Sequence, residues 1–456
     1  MTARSRMMGA TLSALALVGF LAAPATAGNQ RADAVPIAAE QQICSEVFGG
    51  VFEAPSSEPL AQCQWDMSII HADAATRARA TGAGVRVGIL DSGVDIGHPD
   101  IAPNLDLAGS CSFVRSDDPT IVAGITDPVE AGNGICSNKA AVQDLGGHGT
   151  HVASTAAAPI NGIGIAGVAP RATIVALKAC TASTYCYGYA VAAALRYAGD
   201  HDIDVVNMSL FADPYLFYCG NDAGQRAMMR ELQSAARYAQ QHGVLLVTTT
   251  GNQSIDLKHP IEDSISPDGP QDVPITRSVG NNCRVLPAEL PGAVTVSATG
   301  PVGYPGYTMN IAEYSSVGGD IAAPGGDYFS ASDTVQDAVL AAMPANSSIF
   351  QSLDPLNADF PGITTGTGAA TYAWINGTSM AAPHVTGVAA LVKQLHPTWS
   401  PGAVAAAVRR TATPMSCPPD WEPLGPGDER FRCKGGAAGH TSFFGSGLVN
   451  AAAATS

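Results

Sequence analysis

NGTSMAAPHVTG, Asn376 to Gly387, is the stretch on which the reading of this chain turns. A compact Gly-Thr-Ser-Met turn runs straight into small and apolar residues that can enter a buried helix. Ser379 on such a turn keeps its hydroxyl exposed while the helix behind it holds the backbone rigid. Two other segments carry what that serine needs. Asp91 ends the apolar run VRVGIL and is followed by Ser92-Gly93, and His148 lies in GGHGTHVAS, a glycine-rich approach to another small-residue helix. Asp, His and Ser on three separate elements form the minimum set for acyl transfer.

A chain of 456 residues accommodates one large α/β domain with excursions, or two domains. Apolar residues make up 46% and charged residues 14%, so a large core is available and general disorder is excluded. The 49 glycines and 31 prolines predict many tight turns between short elements. The formal net charge of -16 argues against a nucleic-acid partner and against an anionic membrane surface.

The start of the chain reads as an export signal over 1–27. Arg4 and Arg6 precede the mostly apolar Thr11–Pro24, and Ala25-Thr26-Ala27 fits a signal-peptidase site. No stretch approaches about 18 uninterrupted apolar residues, so no membrane anchor is expected. Ten cysteines remain after residue 27, an even number that predicts disulfides in an exported protein. Nearness in sequence favours Cys44–Cys63, Cys111–Cys136, Cys180–Cys186 and Cys417–Cys433, leaving Cys219–Cys283. No compact Cys/His spacing resembles a zinc motif.

Residues 28–80 carry little periodic signal. Val85–Leu90 is the first strong strand, and a long loop rich in Gly, Pro and Asp follows to Leu145. Helices are predicted from His148 to Ala157, Tyr189 to Tyr197, Gln225 to Gln241, Met380 to Leu395 and Ser400 to Arg410. Strands are predicted over Ala172–Ala179, Asp204–Leu210, Val244–Thr250, Ala293–Ala298 and Asp320–Ala322. This alternation predicts an α/β fold with a mainly parallel central sheet and helices on both faces. Met380–Leu395 is apolar nearly all round and belongs at the centre. The stretches 253–291 and 327–374 are long enough to be surface insertions. The division expected is a signal over 1–27, a short extension over 28–61, and one domain over 62–456 closed by a disulfide-tied C-terminal segment.

Taken in order, VRVGILDSGVDIGHPD, GGHGTHVAS, IAGVAPRATIVALKA, TTTGN, DIAAPGG and NGTSMAAPHVTGVAALV resemble the subtilisin-like serine proteases, most closely secreted bacterial ones. The resemblance covers roughly residues 62–450. It implies the family's three-layer fold and a secreted serine endopeptidase, expected as a monomer, that acts on protein or peptide substrates. Ser379 is then the nucleophile, His148 the general base and Asp91 its orienting carboxylate, with no cofactor in the chemistry. His151, three residues further along the same helix, is the nearest competitor and reads better as a structural histidine. Asn252 is expected to supply a side-chain amide to the oxyanion, beside the Ser379 backbone N–H.

The family's extended substrate strand corresponds to Ser209-Leu210-Phe211, with Thr249 and Gly251 on the opposite wall. Phe211 sets a large side chain where the family often has none, and three threonines replace the usual alanines before Gly251-Asn252. Residues 28–61 are too few for the inhibitory prodomain that many members carry. The resemblance also implies a possible structural Ca2+ held by Asp100 and Asn161, with Gln62 as an N-terminal ligand and Gln64 close enough to compete. Two other readings use the same residues: a serine hydrolase acting on esters or short peptides, and a binding protein that kept the fold and lost turnover.

Overall fold

The apolar run after Thr81-Gly82-Ala83-Gly84 becomes the strand Arg86–Asp91, buried along nearly its whole length between two parallel neighbours, Thr173–Lys178 and Val205–Met208. The computed structural model describes residues 36–302, 308–327, 335–347, 364–365, 370–418, 432–435 and 439–456. The expected export segment, 1–27, lies outside them. Across the sheet the order is Thr308–Ile311, Val294–Val302, Leu245–Thr249, Val205–Met208, Arg86–Asp91, Thr173–Lys178 and Cys111–Ser112, with Ile321–Pro324 also pairing Val294–Val302. Within this sheet only the edge pairing of Thr308–Ile311 is antiparallel among the described residues.

Side chains alternate across the sheet even where both faces are dry. Val87 and Ile89 join the cluster that holds the helices His148–Ala157 and Thr378–Leu395. Leu90, Val206 and Leu246 join the opposite cluster, covered by Gly188–Asp200 and Ala223–Gln241. In the last of these helices Leu232, Ala235, Ala236 and Ala239 are buried, the stripe that a period of 3.6 requires. Asp222 caps its start by accepting from the Gln225 N–H at 2.8 Å. Ser400 does the same for Pro401–Arg410, with Pro401 in the first turn where its missing N–H costs nothing. Three layers result, as expected, and Thr378–Leu395 is buried from Met380 to Val392 on every side.

Two expectations need correction. Residues 28–80 are not featureless, because Ile37–Phe48 is a helix with Glu40, Cys44 and Phe48 buried. That stripe has helical spacing, but a glutamate and a cysteine occupy two of its three positions and mask its apolar character. Glu40 is buried because its carboxylate accepts from the Trp374 indole N–H at 2.9 Å. Nor are the described parts of 327–374 a surface insertion. Val339–Ala342 is fully buried and pairs antiparallel with Tyr372–Ile375, the strand that delivers the chain to Asn376. The 253–291 stretch is an excursion, yet Leu257, Val279, Cys283 and Val285 give it a small core with Leu216 and Phe217.

All ten cysteines are paired, in the connectivity expected: Cys44–Cys63, Cys111–Cys136, Cys180–Cys186, Cys219–Cys283 and Cys417–Cys433. Cys219–Cys283 closes a separation of 64 residues, Cys180–Cys186 one of 6. By loop-closure entropy the first constrains the unfolded chain by about 4 kcal/mol and the second by about 2 kcal/mol. Replacing each pair by serines and measuring equilibrium denaturation should therefore show the larger loss for the 219–283 pair.

Candidate active site

The C-terminal ends of the parallel strands lie at one end of the sheet, where α/β folds place their ligand crevice. Asp91 is the last residue of its strand and almost wholly buried. His148 opens the helix His148–Ala157, and its Nδ1 lies 2.7 Å from Asp91 Oδ1. The same carboxylate oxygen accepts the Ser92 N–H at 2.7 Å, so the nitrogen facing it must be the protonated one. Burial by itself pushes the His148 imidazole down. The charge and hydrogen bond of Asp91, with Asp144 behind them, outweigh burial and leave it above its ordinary value. The ring remains 21% exposed towards the crevice. His151 is different: burial pushes it down to about 3, and its Nε2–H serves the carbonyls of Val339 and Ala373 at 3.2 and 3.1 Å. It joins its helix to the strands leading to Ser379.

The approach of the His148 helix to the Asp91 strand depends on a missing side chain. A Cβ on Gly149 would stand 2.1 Å from the Gly93 carbonyl oxygen and 3.1 Å from Asp91 Cβ. Asp144, which the sequence reading passed over, fixes the same helix from its N-terminal end. Its carboxylate accepts from the N–H groups of Gly146, Gly147 and Thr150 at 3.0, 2.7 and 2.9 Å, from Thr150 Oγ1 at 2.7 Å and from Ser92 Oγ at 3.0 Å. Ser92 Oγ in turn accepts the Gly149 N–H at 2.9 Å. Asp144 lies outside the N-cap position, which is Gly147, with Leu145 and Gly146 between, so the usual capping spacing did not mark it. Beneath it Lys178, fully buried, pairs with Glu130 at 2.7 Å and donates to the carbonyls of Ser92 and Gln143 at 2.7 and 3.0 Å.

Ser379 is the second residue of the helix Thr378–Leu395 and is partly exposed. At that position its N–H has no intrahelical acceptor. Its carbonyl has lost an intrahelical donor too, because Pro383, four residues on, has no N–H. Ser209 Oγ supplies the substitute at 2.8 Å and is itself held by Asn207 Nδ2 at 2.9 Å. The Ser379 hydroxyl donates to the Ser209 carbonyl at 3.4 Å, a long bond. Asn252 is exposed, and its Oδ1 accepts the Thr378 N–H at 2.9 Å and the Thr378 hydroxyl at 2.7 Å. A backbone N–H can only donate, so the Asn252 oxygen is fixed and its NH2 is turned away from Thr378.

The remaining sequence-derived positions fall as follows. Leu210 and Phe211 are half-buried beyond Ser209, with Phe211 packed against the small core of the 253–291 excursion. Thr249 is buried at the end of its strand, and Gly251 adopts φ +99° beside Asn252. Asp100 and Asn161 come together, but Asn161 presents its NH2 to Asp100 Oδ1 at 2.9 Å and to the Pro99 carbonyl at 3.0 Å. Asp100 Oδ2 accepts from Tyr372 Oη at 2.8 Å and from the Ile165 N–H at 3.2 Å. Gln62 donates to the Phe52 carbonyl, whereas Gln64 makes a reciprocal pair with Ala166. This donor set does not fit a calcium cage. An amide NH2 stands where an oxygen is required, Gln62 is engaged elsewhere, and hydrogen-bond donors already serve both Asp100 oxygens. Glu40, Cys44 and Cys63 also converge, but both sulfurs are spent in a disulfide and offer no thiolate.

The model of the Subtilase family of peptidases matches residues 82–447. M-protease of Shouchella clausii (strain KSM-K16) is 31% identical over 393 residues, covering 86% of this chain and 69% of that protein. Subtilisin Savinase of Lederbergia lenta is also 31% identical over 393 residues, covering 86% of this chain and 98% of that protein. Among solved structures, fervidolysin from Fervidobacterium pennivorans, a keratinolytic enzyme related to subtilisin, is similar with a TM-score of 0.57 and 26% identity. The match takes in 88% of this chain and 47% of that one, so this chain spans about half of fervidolysin's length. The epidermin leader peptide processing serine protease of Staphylococcus aureus shares the fold, with a TM-score of 0.62 at 22% identity over 89% of this chain and 82% of that one.

Asp144→Ala would leave several buried N–H groups without an acceptor. The variant should lose about 3 kcal/mol or more of unfolding free energy by denaturant titration, and Asp144→Asn, which keeps one acceptor oxygen, should lose less.

Proposed function

The chain belongs to the subtilase family of serine-type endopeptidases, and from that premise we propose that Asp91, His148 and Ser379 are its triad and Asn252 its oxyanion donor. The observation that carries this assignment is the 2.7 Å pairing of the buried Asp91 carboxylate with a crevice-facing His148. Ser379 Oγ attacks the scissile carbonyl carbon as His148 Nε2 takes its proton. The carbonyl oxygen becomes an oxyanion, received by the Asn252 NH2 and the Ser379 N–H. Collapse breaks the C–N bond, and the imidazolium returns its proton to the leaving amine. Water, deprotonated by the same ring, then hydrolyses the acyl-enzyme and restores the Ser379 hydroxyl. Asp91 keeps one imidazole tautomer throughout and stabilises the cation, without itself taking the proton.

The substrates are proteins and peptides, and the protein works outside the cell, where its five disulfides are stable. No helix among the described residues is long and apolar enough to cross a membrane. An extended peptide lies between Ser209–Phe211 and Thr249–Gly251, with the aromatic ring of Phe211 narrowing one side. Buried Thr248, Thr249 and Thr250 make the facing wall bulkier than alanines would.

A fluorophosphonate tests the nucleophile directly. The unmodified protein should be labelled at one serine and Ser379→Ala should not, whereas equal labelling of both removes Ser379 from the mechanism. Asn252→Ala should lower kcat on the order of 10²–10³-fold with KM little changed.

The pH profile follows from the state of His148. It must be neutral to accept a proton, and Asp91 holds it above the ordinary 6.5. Activity, read as kcat/KM, should therefore rise with pH through a midpoint above that value. Asp91→Asn removes the stabilising charge, so it should shift the limb to lower pH and cut kcat on the order of 10⁴-fold. A limb that stays in place would mean that another group sets it.

A further inference from the structure

The loop that follows Ser209-Leu210-Phe211 is gripped on both sides, and two carboxyl groups meet in the grip. Ala212 N–H donates to the Leu286 carbonyl at 2.7 Å, and Asp213 N–H to the Cys186 carbonyl at 3.0 Å. Leu216 N–H donates to Ser266 Oγ at 2.8 Å, and Asp268 N–H to the Pro214 carbonyl at 3.0 Å. Tyr218 Oη binds the carbonyls of Ala212 and Asp213 at 2.9 and 2.8 Å. Residues 212–216 are thus held between the Cys180–Cys186 loop and the 253–291 excursion. Within that grip the Asp213 and Asp268 side chains are hydrogen-bonded to each other, 4% and 7% exposed. Asp213 Oδ2 also accepts the Cys186 N–H, and Asp268 Oδ1 has no hydrogen-bond partner among the described residues.

Two carboxylates cannot touch in a buried site unless something positive lies between them. We propose that Asp213 and Asp268 share a single proton and so act as a positioning pair that pins the Ser209–Phe211 edge of the substrate groove. The role in the groove rests on the peptidase reading above; the shared proton does not. Asp213 is two residues past Phe211 and four past Ser209, whose hydroxyl holds the Ser379 carbonyl, so slack in this loop passes directly to the groove edge.

The surroundings favour a proton. From the Cys180–Cys186 loop and the residue after it, Tyr185 and Tyr187 face the pair, with Asp118 beyond Tyr187. Tyr218 faces it from the strand Phe217–Cys219. From the excursion come Asp272 and Asp263, the latter engaged by Arg277 at 2.6 Å. Burial first, then the charge of Asp268, raises Asp213 well above the carboxylate range, and burial raises Asp268 too. The folded state therefore holds a proton that the unfolded chain would release, so the stabilisation is present at lower pH and lost as pH rises through the raised midpoint.

Asp213→Asn puts an amide NH2 where the proton stood and keeps an oxygen for the Cys186 N–H. For the unmodified protein, KM for a long peptide should rise on the order of tenfold between about pH 5 and pH 10, a range that opens below the value of about 6 to which Asp268 is raised, since a pair that loses its proton trades attraction for repulsion. For Asp213→Asn it should stay flat, with kcat following the His148 limb in both. Thermal unfolding over the same range supplies a readout free of turnover: the melting temperature should fall in the unmodified protein and hold in Asp213→Asn. Asp268→Asn, whose NH2 donates to Asp213, should hold as well, and it serves if the first variant folds poorly. A melting temperature that falls equally in all three proteins overturns the shared proton. So does a fall in the unmodified protein that millimolar calcium chloride abolishes, since the pair would then hold a cation. A flat KM together with the expected melting behaviour overturns the positioning role alone.

Discussion

Pro383 removes one N–H from the nucleophile helix, and much of the site is arranged around that loss. The Ser379 carbonyl would otherwise be satisfied within the helix. It turns instead to Ser209 Oγ, which hangs from the end of the strand Val205–Met208 and is steadied by Asn207. A proline in a helix interior ordinarily costs about 3 kcal/mol. Here the orphaned acceptor is answered by a side chain, so the backbone of the nucleophile is fastened to the sheet. The same contact ties Ser379 to the end of the strand Val205–Met208. On the proposed reading, placing the nucleophile and bounding the groove are therefore one constraint.

Electrostatic order at the other end of the crevice follows from burial. Asp91, Asp144 and Glu130 all lie in the interior, where an unanswered carboxylate costs several kcal/mol. Each is answered differently: Asp91 by the Ser92 N–H and His148, Asp144 by five donors around a helix start, and Glu130 by Lys178 and the Ala182 N–H. Lys178 also donates to the carbonyls of Ser92 and Gln143, so the residue after Asp91 and the residue before Asp144 hang from one ammonium. Breaking such a buried pair costs more than forming it gains, which makes it a device for holding position. The beneficiary is the His148 imidazole, whose tautomer and tilt are set before any substrate arrives.

The central strands, the four long helices that cover them and the pairing of Asp91 with His148 were legible because their signals are local. Apolar runs between glycine turns gave Arg86–Asp91 and Leu245–Thr249, and an all-round apolar pattern gave Thr378–Leu395. Export composition and an even cysteine count gave the disulfides. What stayed hidden depends on partners far away in sequence. Glu40 looks like a surface residue until Trp374 is brought to it, so the helix Ile37–Phe48 lost its apolar stripe. Val339–Ala342 is short and sits in a stretch that reads as a loop, and only its pairing with Tyr372–Ile375 makes it a strand. The calcium reading came from the family resemblance, and its residues are engaged otherwise at the level of single atoms. The resemblance paired Asp100 with Asn161, and in the structure Asn161 turns its NH2 to Asp100 Oδ1 and to the Pro99 carbonyl.

The 253–291 excursion packs against the residues that follow Ser209 and, on the proposed reading, backs one wall of the groove. A long structureless loop beside an active site would cost conformational entropy on each binding event. This one carries apolar residues of its own, a disulfide to the strand Phe217–Cys219, and hydrogen bonds onto residues 212–216, so most of that ordering is complete in the folded protein. Phe211 packs against that core, which includes Leu216, Phe217 and Leu257. The shape of the wall is therefore a property of the excursion's packing. On the proposed reading, changes in Leu257 or Val285 would move the edge that a peptide meets while leaving Asp91, His148 and Ser379 in place.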